Sequence, residues 1–262
     1  MTKTHAKGIQ RHPIFKLGKE PARRDSRNLK LKAILRAPVK VPGEYDFDAS
    51  HSGVPTPVFA NDRVGDCVIA GRAHQTLRFE LVEQKKVIDI TDDDVTREYF
   101  LETGGPDEGL FVLDSLKLWR TRGWQAAGDQ YFIMAFAEID RAKSSEVTRT
   151  VFTDLGVGLG LSLPLTAQRE FEAGKPWCTT TGSGSAPNSW GGHYVYVTGY
   201  TTLGPTCVTW GRKQLMSWSF FKKYCDEAYA VIDALNTPKK RRMLDAAKVA
   251  AFLNNVTTVD TA

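Results

Sequence analysis

Membrane and secretion signals are both missing from this 262-residue sequence. No apolar run reaches the roughly 18 residues that a membrane-spanning helix needs, and the basic N-terminus lacks the apolar stretch of a secretion signal. We therefore expect a soluble, cytoplasmic protein. An apolar content of 42% is enough for the core of one large domain or of two lobes around a cleft.

Cysteine is scarce as well. The chain has four, separated by 111, 29 and 18 residues, and this spacing matches neither a zinc site nor a small disulfide scaffold. They are Cys67, Cys178, Cys207 and Cys225. Free thiols in a reducing compartment are therefore expected, with no metal and no other cofactor.

A phosphate-binding glycine loop is also missing. Residues 156–160 read GVGLG, but Leu161 stands where the G-x-G-x-x-G pattern needs its third glycine, and no helix cap follows. This stretch is predicted to be a crowded strand that tolerates little side-chain volume.

Positive charge is concentrated at the front of the chain. Residues 1–36 hold eleven lysines and arginines against only Glu20 and Asp25, within a net charge of +5. A basic arm of this kind can contact nucleic acid or an acidic partner, but no recognised binding motif accompanies the charges. The sequence therefore predicts a solvated N-terminal arm over 1–42, and the KKRR run at 239–242 is predicted to be solvated too.

The next part of the chain has helical patterns. A passage rich in proline leads into a folded body that is expected to begin near Val41. Apolar residues at every fourth position predict one long helix over about 67–84. Thr91 followed by Asp94 is a capping signature for another helix. A mainly helical lobe is therefore expected over about 43–128.

The second half has a different character. Runs such as HYVYVTGY and TCVTWG are rich in β-branched and aromatic residues and predict the strands of a β lobe over about 129–237. The acidic run YCDEAY at 224–229 is predicted to be helical, and we assign its carboxylates no catalytic role. A final amphipathic helix and tail are expected over 238–262. Helices followed by mostly antiparallel strands make the fold class α+β.

Cys67 opens the long predicted helix. Asp66 stands at the N-cap position, where its carboxylate is expected to accept backbone N–H groups of the first turn. The positive end of the helix dipole favours a thiolate, as in reactive cysteines, although the Asp66 charge opposes this effect. The alternative interpretation of Cys67 is a small apolar core residue.

A catalytic thiolate needs an imidazole partner, and five histidines are available. Three lie in the basic arm or in a loop: His5, His12 and His51. His74 lies about 10 Å along the helix axis from Cys67, which is too far to reach the sulfur. His193 follows two glycines at the start of a predicted strand and remains as the candidate.

An ordered set of five features resembles the papain-like cysteine peptidases. The set comprises Asn61, Cys67, His193, the pair Gly199-Tyr200 and the pair Trp210-Gly211. About residues 55–225 follow the family pattern. The sequence Asp66-Cys67 with an amide at position 61 is also similar to the bacteriocin-processing peptidases, which share the fold.

The resemblance implies a papain-like α+β fold, in which a helical lobe and an antiparallel sheet lobe flank a cleft. It also implies that Cys67 attacks a carbonyl, that His193 protonates the leaving amine, and that Asn61 helps the cysteine N–H to hold the oxyanion. The family usually has glutamine in place of Asn61. It also has an asparagine at the position of Val208 that orients the histidine, and a one-residue register change in the TTLGPT turn at 201–206 would give this role to the Thr209 hydroxyl.

Two functions of different classes remain open. The first is a cysteine hydrolase that cleaves an amide, expected to be a peptide bond, through a Cys67–His193 dyad and an acyl-enzyme. The second is a papain-like fold with little or no catalysis that serves as a binding or assembly module, with the basic arm on nucleic acid or a particle surface. For the hydrolase, a peptide or protein substrate and no membrane partner are expected. The cleft loops within 104–110 and 176–190 carry few charges, which indicates a small or polar substrate side chain.

Overall fold

The computed structural model describes residues 15–36 and 40–259, with side chains described as far as residue 254. The described helices are α1 (Leu31–Ile34), α2 (Phe47–Ser50), α3 (Cys67–Gln84), α4 (Asp92–Thr103), α5 (Val112–Thr121), α6 (Ser144–Phe152), α7 (Leu165–Glu172), α8 (Trp218–Tyr224), α9 (Pro238–Met243) and α10 (Ala246–Val259). The strands are β1 (Tyr45–Asp46), β2 (Trp124–Ala126), β3 (Asp129–Tyr131), β4 (Ala135–Glu138), β5 (Gly156–Leu163), β6 (Gly191–Tyr200), β7 (Pro205–Thr209), β8 (Arg212–Leu215) and β9 (Cys225–Ile232). None of these helices is both long enough and apolar enough to cross a membrane.

The first long helices follow their sequence patterns. α3 has the predicted bounds, and most of its residues are buried. α4 starts with the predicted capping box, in which Thr91 Oγ1 accepts the Asp94 N–H and the Asp94 carboxylate accepts the Thr91 N–H. It ends at Thr103, and the next residue, Gly104, has a left-handed φ of 77°, as is common just beyond a helix.

A seven-stranded antiparallel sheet forms the second half of the described fold. Its main path runs β4-β9-β5-β6-β7-β8, and β1 pairs with β6. β9 therefore lies between β4 and β5 although it is the last strand in the chain. The α+β class expected from the sequence is confirmed.

Helices cover both faces of this sheet. On one face, α3, α4 and α5 bury an apolar cluster against residues such as Tyr194 and Tyr229. On the other face, Val195 and Val197 pack against α1, α6, α7 and α8. Neighbouring residues of β6 thus point to opposite layers, as the two-residue period of a strand requires.

The glycine-rich strand β5 is crowded, as predicted. A Cβ on Gly158 would lie 1.8 Å from the Tyr194 hydroxyl oxygen, and one on Gly160 would lie 2.4 Å from Lys19 Cε. These glycines make room for side chains of neighbouring segments. They belong to the core and do not form a phosphate loop.

The prediction that YCDEAY is helical is wrong. Residues Cys225–Ile232 form β9, because alternate side chains there fill both layers of the core. Ala230 packs in one apolar cluster, whereas Val231 packs in the other. Asp226 and Glu227 therefore stand on an interior strand of the sheet.

The prediction of one continuous C-terminal helix is also wrong. α9 ends at Met243, and Leu244 is extended, with φ −105° and ψ 141°. Leu244 forms an antiparallel bridge with Leu35, and the Asp245 carboxylate then accepts the Ala247 N–H at the start of α10. Pairing with the N-terminal segment and a new cap thus divide the helix in two.

The KKRR run is not solvated throughout, which corrects a further prediction. The Lys240 side chain has no exposed surface. Its ammonium lies 2.7 Å from Asp233 Oδ1 and 2.9 Å from Glu83 Oε1. This ion-pair cluster joins α9 to α3 and to the residue that follows β9.

The prediction of a solvated N-terminal arm is wrong for residues 15–36. Leu29, Leu31 and Ile34 are buried in the core, and Lys19 is only 5% exposed. The apolar residues between the basic ones cause this burial, so the folded body begins by Phe15 and not near Val41. Residues 1–14, with His5 and His12, lie outside the described residues.

Candidate active site

Cys67 lies at the first position of α3, where the chain enters the helix from a turn. Its side chain is 1% exposed. Asp66 occupies the N-cap position, but its carboxylate makes no capping hydrogen bond, which corrects the prediction, and both of its oxygens lack a partner among the described residues. Burial raises the pKa of Asp66 to about 8, and the nearby Asn61 amide partly offsets this effect.

His193 and Thr209 come together across strands β6 and β7. His193 Nε2 lies 2.7 Å from Thr209 Oγ1. A bulge between Val197 and Gly199 shifts the pairing by one residue, so Tyr196 is paired with Val208. Thr209 is therefore on the same face as His193, and Val208 is on the other. The register change that Thr209 requires thus lies within β6 and not in the turn after it.

Trp210 covers the imidazole of His193. The two rings are parallel within 9°, and their centroids are 4.0 Å apart. The indole is only 8% exposed. Trp210 also has a left-handed φ of 43°, which costs about 1 kcal/mol or more in a non-glycine residue and often marks a functional site.

The start of α3 and the start of β6 approach each other at the sulfur. The Tyr194 N–H donates a hydrogen bond to Cys67 Sγ at 3.4 Å, and Tyr194 is the residue after His193. His193 Nδ1 has no hydrogen-bond partner among the described residues. The Cys67 sulfur thus contacts the backbone of the residue that follows His193. No hydrogen bond joins Cys67 to His193 in the described part of the chain.

Asn61 lies in the turn that leads to α3. The two residues before it, Phe59 and Ala60, have left-handed φ angles of 57° and 64°. Asn61 Nδ2 donates to the Val64 carbonyl oxygen at 3.3 Å, and this amide nitrogen carries a second N–H. Asn61, Cys67 and Thr209 line one small cavity, together with Val58, Ala70, Gly71, His74, Tyr194, Val208 and Trp210.

A covering segment, residues 15–20, lies across this site. Its main chain bonds to both halves of the protein: the Lys16 N–H donates to Asn61 O at 3.1 Å, and the Lys19 N–H donates to Gly192 O at 3.1 Å. The Leu110 N–H and carbonyl bond to the residues on either side of Lys19, at 2.8 and 2.9 Å. The covering segment is thus held as an extended peptide between the two walls.

Glycines allow this close approach. A Cβ on Gly18 would lie 1.6 Å from Gly65 O, and one on Gly192 would lie 2.0 Å from Lys19 O. A Cβ on Gly109 would lie 2.6 Å from Gly18 O. Both walls and the covering segment therefore need glycine where they touch.

Burial by the covering segment and the core keeps both reactive groups neutral. It raises the pKa of the Cys67 thiol to about 12, and the Asp66 charge adds to the rise, whereas the Tyr194 and Gly18 amides and the Lys19 charge lower it. Burial also lowers the pKa of His193 to about 3. At neutral pH the described state therefore contains a thiol and an uncharged imidazole.

The other described histidines, His51 and His74, make no hydrogen bond to Cys67. His51 stacks on Phe47, with ring centroids 4.3 Å apart. His74 packs beside Phe59, with ring centroids 4.9 Å apart. It lies seven residues after Cys67 on α3 and lines the same cavity. No hydrogen bond joins His74 to Cys67 among the described residues.

The sequence patterns did not reveal the covering segment or its contacts. Phe15 packs edge-on against Phe171 and beside Trp210, at 5.0 and 5.2 Å between ring centroids. The indole Nε1–H of Trp210 donates to Lys16 O at 3.2 Å. The available signal was the alternation of Phe15 and Leu17 before a glycine, which is typical of an extended, half-buried segment. The excess of positive charge around it pointed instead to a solvated arm.

Comparisons with known proteins identify the fold. No protein-family model matches the sequence, and no curated protein sequence matches it significantly. Several solved structures do match in three dimensions. Xylellain, a cysteine protease from Xylella fastidiosa, is similar with a TM-score of 0.63 and 13% identity, over 86% of this chain and 99% of that one.

Two plant proteins are similar as well. The cysteine protease CMS1MS2 from Carica candamarcensis, in complex with E-64, has a TM-score of 0.56 and 12% identity over 74% of this chain and 99% of that one. The Amb a 11 cysteine protease, a ragweed pollen allergen in its proform, has a TM-score of 0.56 and 12% identity over 75% of this chain and 66% of that one. The chain therefore has the papain-like fold that its ordered sequence features predict.

Proposed function

We propose that this chain is a cysteine hydrolase that cleaves a peptide bond, with Cys67 as nucleophile and His193 as general base and acid. The observation that carries the proposal is the hydrogen bond from the Tyr194 N–H to Cys67 Sγ, at the residue next to an imidazole whose Nδ1 is unpartnered. Nucleophile and base thus stand on facing elements, which is the arrangement that thiol catalysis needs.

The chemistry follows from these positions. His193 Nδ1 takes the proton of the Cys67 thiol, and the sulfur attacks the substrate carbonyl carbon. The proton then passes to the leaving amine as the C–N bond breaks, and water hydrolyses the thioester with His193 again as base. The Cys67 backbone N–H and the Asn61 amide stabilise the oxyanion.

Thr209 and Trp210 act on the base. When the His193 proton is on Nε2, the imidazole donates to Thr209 Oγ1, and the lone pair of Nδ1 is free to accept the thiol proton. Thr209 is therefore a positioning residue that fixes the tautomer and the plane of the ring. The stacked Trp210 ring keeps water away from this hydrogen bond.

The covering segment supports a peptide as the substrate. Residues 16–20 show that an extended main chain fits the cleft, with hydrogen bonds to Asn61, Leu110 and Gly192. The described state is then latent, because the covering segment occupies the place of a substrate. Reaction requires that it leave, which would also relieve the burial that raises the pKa of the Cys67 thiol.

One observation favours a second function, a binding or assembly module. Cys67 and His193 are each 1% exposed, and no hydrogen bond joins them within the described residues. A fold that had lost catalysis would be free to keep its cleft filled. Acyl transfer to an amine in place of water would use the same groups as hydrolysis.

The test is covalent labelling of the full-length chain by a peptidyl vinyl sulfone. Gly18→Ala is introduced to release the covering segment, since its added Cβ would overlap Gly65. We expect Cys67 to react at least 100-fold faster than Cys178, the half-exposed thiol that serves as an internal reference. His193→Ala abolishes this advantage, and His51→Ala, the matched control, leaves it intact.

The module is supported if Cys67 in Gly18→Ala reacts no faster than Cys178 at any pH between 6 and 9, although hydrogen exchange shows the covering segment released. If the same variant cleaves a peptide library and Cys67→Ser abolishes this cleavage, the chain is a hydrolase. Labelling without cleavage would indicate a reactive but catalytically inert thiol. A thioester that accumulates and passes to added amines would indicate transfer.

A further inference from the structure

The side chain of Lys19 is buried in an acidic pocket beside the cleft. It is 1% exposed, and its ammonium lies 3.1 Å from Asp226 Oδ2 and 3.4 Å from Glu227 Oε1. The ammonium also donates a hydrogen bond to the Glu20 carbonyl oxygen, within the covering segment itself, at 2.9 Å. The pocket thus gives the ammonium group one hydrogen-bonded carboxylate and a second carboxylate at ion-pair distance.

The protein holds these carboxylates in place without help from the lysine. The Ser162 hydroxyl donates to Asp226 Oδ2 at 2.7 Å, and the Tyr229 hydroxyl donates to Glu227 Oε2 at 3.2 Å. Gly160 leaves the space between β5 and β9 that the lysine stem fills, because a Cβ there would lie 2.4 Å from Lys19 Cε and 2.5 Å from Glu227 Cγ. The pocket is therefore built into the sheet, and the lysine enters it from outside.

The Lys19 pocket lies close to the reactive thiol. Lys19 follows Gly18 in the covering segment, and Gly18 is the residue that lies against the turn before Cys67. The Lys19 N–H is bonded to the carbonyl of Gly192, which precedes His193, and Gly18 lies against Gly65, two residues before Cys67. Every other polar contact of residues 16–20 with the two walls uses main-chain groups of the covering segment, which any extended peptide carries. Among the polar contacts of residues 16–20, the lysine side chain is thus the sequence-specific one.

We infer that the pocket formed by Gly160, Ser162, Asp226, Glu227 and Tyr229 is a substrate subsite that selects a lysine side chain. Lys19 occupies it in the described state, and a lysine of the substrate replaces Lys19 when the covering segment leaves. This inference rests on the proposed function, because it requires that the cleft bind a peptide. It replaces the small or polar substrate side chain that the cleft loops, with their few charges, indicate.

The cost of an empty pocket supports this assignment. A partly exposed carboxylate, Asp226, and a buried one, Glu227, stand at adjacent positions; they repel each other and lose hydration unless a cation lies between them. Asp226 Oδ1 has no partner among the described residues. A lysine-bearing peptide restores the ion pairs, whereas a neutral side chain of equal length leaves the carboxylates uncompensated.

The experiment measures peptide binding to full-length Gly18→Ala, in which hydrogen exchange of residues 16–20 reports release of the covering segment. The probes are the fluorescent hexapeptide Phe-Lys-Leu-Gly-Lys-Glu, which is the sequence of residues 15–20, and its analogue with methionine at the second lysine. We expect the lysine peptide to bind at least tenfold more tightly, since hydrogen bonds to charged groups contribute about 1.5–3 kcal/mol.

Pocket variants assign the preference to the two carboxylates. Glu227→Gln and Asp226→Asn should each bring the two peptides to within about threefold of each other. Glu108→Gln, which removes an exposed carboxylate from the cleft loop, should keep the full preference. Equal binding of the two peptides to Gly18→Ala, binding of neither, or a preference that survives in both pocket variants would overturn the inference.

A second measurement covers variants that fold poorly or retain the covering segment. In the otherwise unchanged chain, Lys19→Met should speed hydrogen exchange of residues 16–20 at least tenfold, and Lys16→Met should not. Identical exchange in the two variants contradicts the subsite. Neither readout depends on catalysis, so a lysine preference without labelling of Cys67 would refute the hydrolase and leave a lysine-selective peptide-binding pocket standing.

Discussion

Asp66 illustrates how a single buried residue makes stability depend on pH. Its pKa is raised by burial from 3.8 to about 8, so the folded protein holds a proton that the unfolded chain releases above pH 3.8. The contribution of Asp66 to stability is therefore fully present below pH 3.8 and is lost as the pH rises to about 8. The slope is at most about 1.4 kcal/mol per pH unit.

We expect Asp66→Asn to remove this loss. The advantage of the variant in melting temperature should be small near pH 4 and should grow up to about pH 8, because its amide cannot ionise. Thermal denaturation at several pH values is the measurement, and Asp62→Asn, at an exposed neighbouring carboxylate, is the control. A constant difference across this range would show that the Asp66 pKa is not raised.

Thr209 allows a test of the hydrogen bond to His193. In the Gly18→Ala background, Thr209→Val should slow vinyl sulfone labelling of Cys67 about fivefold, since one hydrogen bond contributes about 1 kcal/mol. Thr209→Ser should restore the rate because it keeps the hydroxyl. Thr198→Val is the matched control, since the Thr198 hydroxyl is buried and has no partner among the described residues. Equal rates for the valine and serine variants at position 209 would exclude the positioning role.

The covering segment is the element with the clearest functional consequence. In the unchanged chain, labelling of Cys67 should rise about tenfold per pH unit from pH 7 to pH 10 without levelling, because burial raises the thiol pKa to about 12. Gly18→Ala should label faster at pH 7 and level at a lower pH. Gly43→Ala, where a Cβ has nothing within 4 Å, is the control. Superimposable pH profiles for the three proteins would mean that the covering segment does not govern the thiol.

Elements with a clear local signal could be predicted from the sequence, and those that depend on distant partners could not. α3 and the capping box of α4 are specified by residues a few positions apart. β9 was missed because its acidic start resembles a helix and its strand character depends on neighbours more than sixty residues away. The same holds for residues 15–20, whose partners are spread from Asn61 to Glu227.

The candidate site shows the same division. The order of Asn61, Cys67 and His193 could be read from the sequence, as could the need for a hydroxyl at Thr209. The bulge in β6 that puts Thr209 on the correct face could not, because it is visible only in the pairing with β7. Lys19 and its carboxylates were missed for the same reason, since 207 positions separate Lys19 from Asp226.

At the scale of the whole molecule, Lys240 joins the C-terminal part to the first long helix. Lys240→Met should lower the free energy of unfolding by about 3 kcal/mol or more, because Asp233 and Glu83 would lose their buried cation. Urea denaturation followed by tryptophan fluorescence measures the change. The exposed Arg242→Met is the control, and equal midpoints for the two variants would show that the cluster contributes little.

The position of β9 also has a consequence for synthesis on the ribosome. β4 and β5 acquire their shared neighbour only after residue 232 has left the exit tunnel, so this part of the sheet cannot close before then. A nascent chain that stalls before Cys225 presents two bare strand edges, and such edges bind chaperones or other stalled chains. Lys19 emerges much earlier, yet the carboxylates that pair with its side chain are absent until β9 has been made, so the covering segment gains these ion pairs only then.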